Sequence, residues 1–345
     1  MLRTLKLCAA LLVLLGATLS SVRTAPAADR SPVGLLIMAH GGDPLWDNAV
    51  KDAVAPLRGA APVEIAFGMA DRASLQAGVR RLEERGVDRI AVVRLFISGD
   101  SFKQQTEFLL GLRPDPPAVF ISHAGHGGGA HAGHGHDHAD HAGHANHAGH
   151  GAGAAPDSSL ARSPIERSAE LALSGPGLAD DTALLTTVLG ARAAALSKQA
   201  KKEAVLFLGH GVENDEENRQ IMNRLDSVSR EIARKQGFAS VRVEGLREDW
   251  REKRAEAELR IRDYVTAQTK SGRKVLVIPV RVYGFGPYKE VLGDLTYTAD
   301  GEGLLPHPAV TSWIARQYEQ VCAAKGWQPA ALGESGGVPP QQGSN

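Results

Sequence analysis

Short apolar runs alternate with amphipathic stretches along most of this chain. From Pro32 onward the pattern predicts strands at 33–39, 63–69 and 89–98 in a first half, and at 204–209, 240–245 and 274–283 in a second. Between them, Leu75, Val79 and Leu82 recur at helical spacing with Gly86 as a stop signal, and Ala257, Ile261, Tyr264 and Val265 supply the matching stripe in the second half. Strands that alternate with helices in this way predict an α/β fold, a mostly parallel sheet with helices on its faces.

The two halves are versions of one another. Leu35-Leu36-Ile37-Met38-Ala39-His40-Gly41 is matched by Val205-Leu206-Phe207-Leu208-Gly209-His210-Gly211, and Asn48 and Asn218 each fall eight residues after their histidine. The runs 89–96 and 274–281 correspond, as do 177–181 and 303–307, each of which opens a last helix. The expected organisation is therefore an internal duplication: one Rossmann-like lobe at 32–200 and a second at 201–328. Nearly all of the length difference falls in one low-complexity insertion in the first lobe, at about 122–162. Residues 329–345 read as a disordered tail.

The insertion carries His123, His126, His131, His134, His136, His138, His141, His144, His147 and His150 in a background of glycine and alanine. With no larger apolar side chain between 123 and 153 it has nothing to bury, so disorder is expected. Neutral imidazoles on such a tether make it a candidate ligand for divalent first-row metal ions. The alternative is an inert insertion that takes up ions only in excess.

The chain holds 39 basic and 39 acidic residues. Arg3 and Lys6 before the apolar stretch 7–15, and Ala25-Pro26-Ala27 after it, predict a secretory signal at 1–27 and a secreted, periplasmic mature protein. Its removal takes Arg3, Lys6 and Arg23, leaving 36 basic against 39 acidic residues, a balance without an electrostatic footprint for nucleic acid. Cys322 is then the one remaining thiol, which precludes an intramolecular disulfide. No later segment is long and apolar enough to predict a membrane span.

Ligands of open α/β sheets bind beyond the carboxyl ends of the strands, which makes His40 and His210 the candidate metal ligands and catalytic groups. Glu244, at the end of the second strand of the second lobe, is the candidate acid beside His210. The acids at 213–217 read as the first turn of a helix, and 247–262 as a solvated helix face. His40-Gly41-Gly42 also raises an esterase-type hydrolase, but the chain lacks the Gly-x-Ser-x-Gly elbow.

The histidine-glycine strand ends, the third-strand pattern Leu95-Phe96-Ile97-Ser98-Gly99, the Gly-Leu-Leu-Pro-His-Pro box at 303–308 and the doubled lobes resemble the class II tetrapyrrole chelatases, the anaerobic cobalt chelatases and sirohydrochlorin ferrochelatases. The resemblance covers roughly residues 32–325 without the insertion. It implies a chelatase-like fold that inserts cobalt, nickel or ferrous iron into a sirohydrochlorin-type tetrapyrrole, with the metal held by histidines in the cleft between lobes. It also implies that His210 is ligand and base with Glu244 as its partner, and that His40 is their first-lobe counterpart. One departure stands out. Members of the family carry a second histidine about six or seven residues beyond the third-strand step, and the count lands here on Ser101 or Phe102 and on Gly286 or Pro287. A non-enzymatic metal-binding or metal-delivery protein on the same fold is the rival expectation, as is supply of the missing ligand by the insertion. His307, between two prolines at a helix start, reads as structural.

Overall fold

The computed structural model describes residues 31–120 and 162–332. The signal at 1–27, the histidine tract and most of the tail lie outside the described residues. Two four-stranded parallel sheets carry the two lobes. In the first, β1 (Gly34–Ala39), β2 (Val63–Phe67), β3 (Arg89–Leu95) and β4 (Glu170–Leu173) are ordered β2-β1-β3-β4. In the second, β5 (Glu203–Gly209), β6 (Ser240–Gly245), β7 (Lys274–Val280) and β8 (Thr298–Ala299) repeat this as β6-β5-β7-β8. Register repeats too: Ala39 pairs with Leu95 and Gly209 with Val280, so His40 and His210 leave their central strands at corresponding points.

The helices are α1 (Pro44–Val54), α2 (Arg72–Glu83), α3 (Lys103–Leu109), α4 (Thr182–Leu196), α5 (Asp215–Gln236), α6 (Arg251–Lys270), α7 (Tyr288–Leu292) and α8 (Pro308–Lys325). Alternation along the strands divides the core into three layers. Leu35, Ile37, Val205 and Phe207 face a central layer shared by both sheets, and α1, α4, α5 and α8 lie within it. Leu36 and Met38 face α2 and α3 on one outer side, and Leu206 and Leu208 face α6 and α7 on the other.

The last helix of each lobe crosses to the other. Helix α4 packs against α5 and β7, while α8 packs against β3, β4 and α1. Polar contacts tie down the exchange: Tyr318 donates to the Val33 carbonyl at 2.9 Å, Thr311 donates to the Ala53 carbonyl at 2.8 Å, and Gln236 donates to the Gly190 carbonyl at 2.8 Å. A division at 200/201 separates the sheets, but each lobe's core is closed by the other's final helix. Among the described residues no helix is long and apolar enough to cross a membrane.

Candidate metal site at the end of the second sheet

The backbone turns after Gly209, and the His210 ring folds back on it. Nδ1 lies 2.7 Å from the Gly211 carbonyl oxygen, which makes Nδ1 the protonated nitrogen of the neutral ring and leaves Nε2 as the outward lone pair. That atom faces carboxylates, with Asp249 Oδ2 at 3.3 Å and Glu248 Oε2 at 3.8 Å. The Trp250 ring stands edge-on at 6.0 Å. Burial disfavours the charged imidazole, but in that form Nε2–H donates to Asp249, and this bond, the Glu248 charge and the Gly211 carbonyl outweigh burial and raise the His210 pKa. The same hydrogen bond holds the Asp249 carboxyl below its ordinary value.

Behind this group sits Arg281, the residue after β7, whose Nη1 donates to Glu248 Oε1. Arg247 is buried in a left-handed conformation (φ 60) and reaches the start of α5 through the Glu213 carbonyl and Asp215, at 2.8 Å for the latter. Lys253 binds the same two groups at 2.7 and 2.9 Å, and the Lys253 and Arg247 bonds bring the Asp215 carboxyl down to about 2. The acids at 215–217 do form the first turn of α5, behind an Asn214 cap.

Glu244 is elsewhere. Alternation puts Val241 and Val243 against the central layer and Arg242 and Glu244 on the α6 side. There Glu244 accepts from Arg242 at 2.5 and 2.8 Å and from Arg260 at 3.3 Å. The expected Glu244–His210 pairing is therefore replaced by Glu248 and Asp249. Both acids fall in the stretch 247–262 expected to be a solvated helix face, yet the Arg247 and Glu248 side chains are largely buried.

The first lobe matches in backbone and differs in chemistry. His40 Nδ1 also contacts the next carbonyl, that of Gly41. The loop after β2 is Gly68-Met69-Ala70-Asp71, and its one acid caps α2 by accepting from Ser74 N at 2.7 Å. His40 meets the Trp46 ring at 5.6 Å, and Trp46 meets Tyr283 of the second lobe edge-on at 6.2 Å. The two asparagines have diverged: Asn218 accepts from Val212 N at 3.2 Å, whereas in the first lobe Asp47 accepts from Gly42 N at 3.1 Å.

The matched boxes before the last helices are equivalent in detail. Leu178 and Ala179 donate to the Phe96 and Ile97 carbonyls, and Leu304 and Leu305 to those of Arg281 and Val282. Asp181 and His307 then cap α4 and α8, His307 through Nδ1, which accepts from Ala309 N at 3.1 Å. This is the structural role expected for His307. The positions counted for a second histidine are helix starts: Phe102 and Pro287 occupy the N-cap positions of α3 and α7 without a side-chain cap bond. A side chain at Gly286 is strained by the left-handed backbone (φ 66), and its Cβ, 2.9 Å from the Arg281 guanidinium, would displace that group. Among the described residues no three His, Cys, Asp or Glu side chains converge closely enough to hold a metal ion as they stand.

Such a chain is a two-lobed α/β protein with histidines presented at the carboxyl ends of the central strands. Residues 34–103, the core of the first lobe, match the model of the CbiX family. Among solved structures, the chain is similar to SirB from Bacillus subtilis with Fe3+, at 12% identity and a TM-score of 0.53, covering 86% of this chain and 98% of that one. It also aligns with DR2241 from Deinococcus radiodurans, described as a multi-domain protein with structural similarity to chelatases and two additional novel domains, at 14% identity and a TM-score of 0.43 over 83% of this chain and 54% of that one. No curated protein sequence matches it significantly. The family match is confined to residues 34–103, and the likeness to SirB shows that the two-lobed fold is chelatase-like.

Proposed function

We propose that the protein is a metal chelatase whose second lobe receives the metal. On this reading it inserts cobalt, nickel or ferrous iron into a sirohydrochlorin-type tetrapyrrole, and works as a secreted, periplasmic protein. The observation that carries the reading is the His210 ring, with Nδ1 tied to a carbonyl and Nε2 turned outward beside Asp249 and Glu248. Imidazole and carboxylate are donor types that suit a divalent ion of the first row without selecting one, and here they stand beside one another without converging on a single point. Metal entry displaces two pyrrole protons, which calls for a base at the macrocycle face, and the His210–Asp249 pair can accept one.

The test is to mix the purified protein with sirohydrochlorin and Co2+ under anaerobic conditions and follow the absorbance change. The wild type should insert cobalt above the uncatalysed rate, and His210→Ala should abolish insertion with the fold intact. Survival of activity in that variant would transfer the role to His40.

One observation favours a second reading, a non-enzymatic metal-binding or delivery protein on the chelatase fold: three donors do not converge among the described residues. No catalysed insertion, together with metal binding lost on deleting 123–150, would establish that reading and refute the first.

A further inference from the structure

The Arg281 side chain lies between Glu248, Tyr288 and Gly286; its hydrogen bond goes to Glu248, and its buried Nε has no partner among the described residues. Gly303 (φ 83) lies against its backbone, where a Cβ would stand 2.8 Å from the Arg281 carbonyl oxygen. On the other side Gly286 (φ 66) leaves room for the guanidinium, which a Cβ 2.9 Å from Cζ, Nε and Nη1 would displace. The guanidinium lies 5.8 Å from the ring centre of Tyr288, a fully buried residue. Only 20% of the Arg281 side chain and 10% of that of Glu248 are exposed.

The pair therefore has little freedom, and the two oxygens of Glu248 are divided between neighbours. Oε1 accepts from Arg281, and Oε2 is turned to His210 Nε2 at 3.8 Å. A carboxylate held from behind in this way presents one oxygen at a fixed place. The arginine also changes the charge met by an arriving ion. Glu248 and Asp249 alone would offer two negative charges beside His210, and Arg281 offsets one of them.

Resting on the reading of His210 as the metal-receiving group, we infer that Arg281 is a positioning residue that fixes Glu248 and keeps the metal ion loosely held. A chelatase must surrender its metal to the macrocycle, and tight binding of the ion before transfer does nothing to speed the transfer. A guanidinium behind the carboxylate weakens the hold while preserving the geometry.

Trp250, 6.0 Å from His210, provides a local readout, because paramagnetic Co2+ bound at that ring quenches its fluorescence. The full chain is titrated with Co2+ alone, and the same titration of Trp250→Phe is subtracted to remove the other tryptophans and the histidine tract. Arg281→Gln should lower the half-quenching concentration by about tenfold or more, since a positive charge beside a divalent ion is lost. Arg281→Lys, which keeps the positive charge that offsets Glu248, should stay within about threefold of wild type in this titration. In the insertion assay, Arg281→Gln should lower kcat and the KM for metal together.

A folded Arg281→Gln protein with an unchanged or higher half-quenching concentration would overturn the inference and leave Arg281 a structural ion pair. Should that variant not fold, Arg281→Lys decides, and a tenfold change in either direction would overturn it. If Co2+ quenches Trp250 as described but no tetrapyrrole is metallated, the chelatase reading falls and the role of Arg281 stands. If His210→Ala leaves the Trp250 quench unchanged, the metal is not at His210 and both fall.

Discussion

Replacing Glu244 and Glu248 by glutamine, one at a time, separates two carboxylates four residues apart that the structure assigns to different tasks. Glu244 is 10% exposed, but its partners Arg242 and Arg260 are 41% and 47% exposed, so water screens much of the attraction. Glutamine keeps one acceptor for Arg242 and turns a donor toward Arg260. The cost should be about 1 kcal/mol, a fall of roughly 2–4 °C in Tm. Insertion should stay within twofold of wild type, because neither arginine touches His210. Glu248→Gln removes the charge that balances a largely buried Arg281, which should cost about 3 kcal/mol. It also removes the oxygen facing His210, and insertion should fall about 100-fold. Thermal unfolding by circular dichroism gives the stabilities, and anaerobic absorbance with sirohydrochlorin and Co2+ gives the rates. A tenfold loss of insertion in folded Glu244→Gln, or near-normal insertion in Glu248→Gln, would refute this assignment of the two acids.

Tyr318→Phe removes a hydroxyl that donates to Val33 O at 2.9 Å and accepts from Ala330 N at 3.0 Å. It should cost about 2 kcal/mol in urea unfolding with insertion unchanged, and no loss would mean that these bonds do not fasten the exchanged α8. Gly177→Ala places a Cβ 2.5 Å from the Gly99 nitrogen and the Ser98 carbonyl carbon, both backbone, and should destabilise by about 3 kcal/mol, read in the same assay. His307 has its pKa lowered by burial and by Arg192, so its contribution to stability is present above the ordinary histidine value and lost as pH falls through the lower, folded one. His307→Asn keeps a cap on α8 and should flatten this part of the stability–pH curve below about pH 6.5, whereas an unchanged curve would clear His307 of the effect.

The strand order and the repeat were legible because apolar runs such as 35–39 and 205–209 are buried on both faces and need no partner to be recognised. The edge strands β4 and β8 escaped notice: one has four residues directly after the insertion, and the other has two. The exchange of α4 and α8 was not legible either. Leu184, Leu185, Val188 and Leu189 show that α4 is buried, and Val310, Trp313, Ile314 and Tyr318 show the same of α8, but burial names no partner. At the site, the two strand-end histidines were readable and the acid was not. Alternation separates Glu244 from Val243, but whether that face looks toward His210 or toward α6 depends on where the helix packs. Glu248 and Asp249 sit in a turn, where no periodicity marks them.

That turn is also where the duplicated lobes part company. The first lobe crosses from β2 to α2 through 68–71, the second from β6 to α6 through 246–250, one residue longer. In the first, Asp71 occupies the N-cap and gives its carboxylate to Ser74 N. In the second the N-cap is Trp250, which makes no side-chain cap bond. A missing cap costs a helix about 1 kcal/mol. In exchange the two acids before it are free of the helix, and both turn to His210. Each histidine meets an indole, but the first lobe's helix has a side-chain cap, whereas the second lobe's has none and its histidine stands beside two carboxylates. Of these two helices, the one without a side-chain cap among the described residues belongs to the lobe whose histidine faces Glu248 and Asp249, which fits the site proposed there.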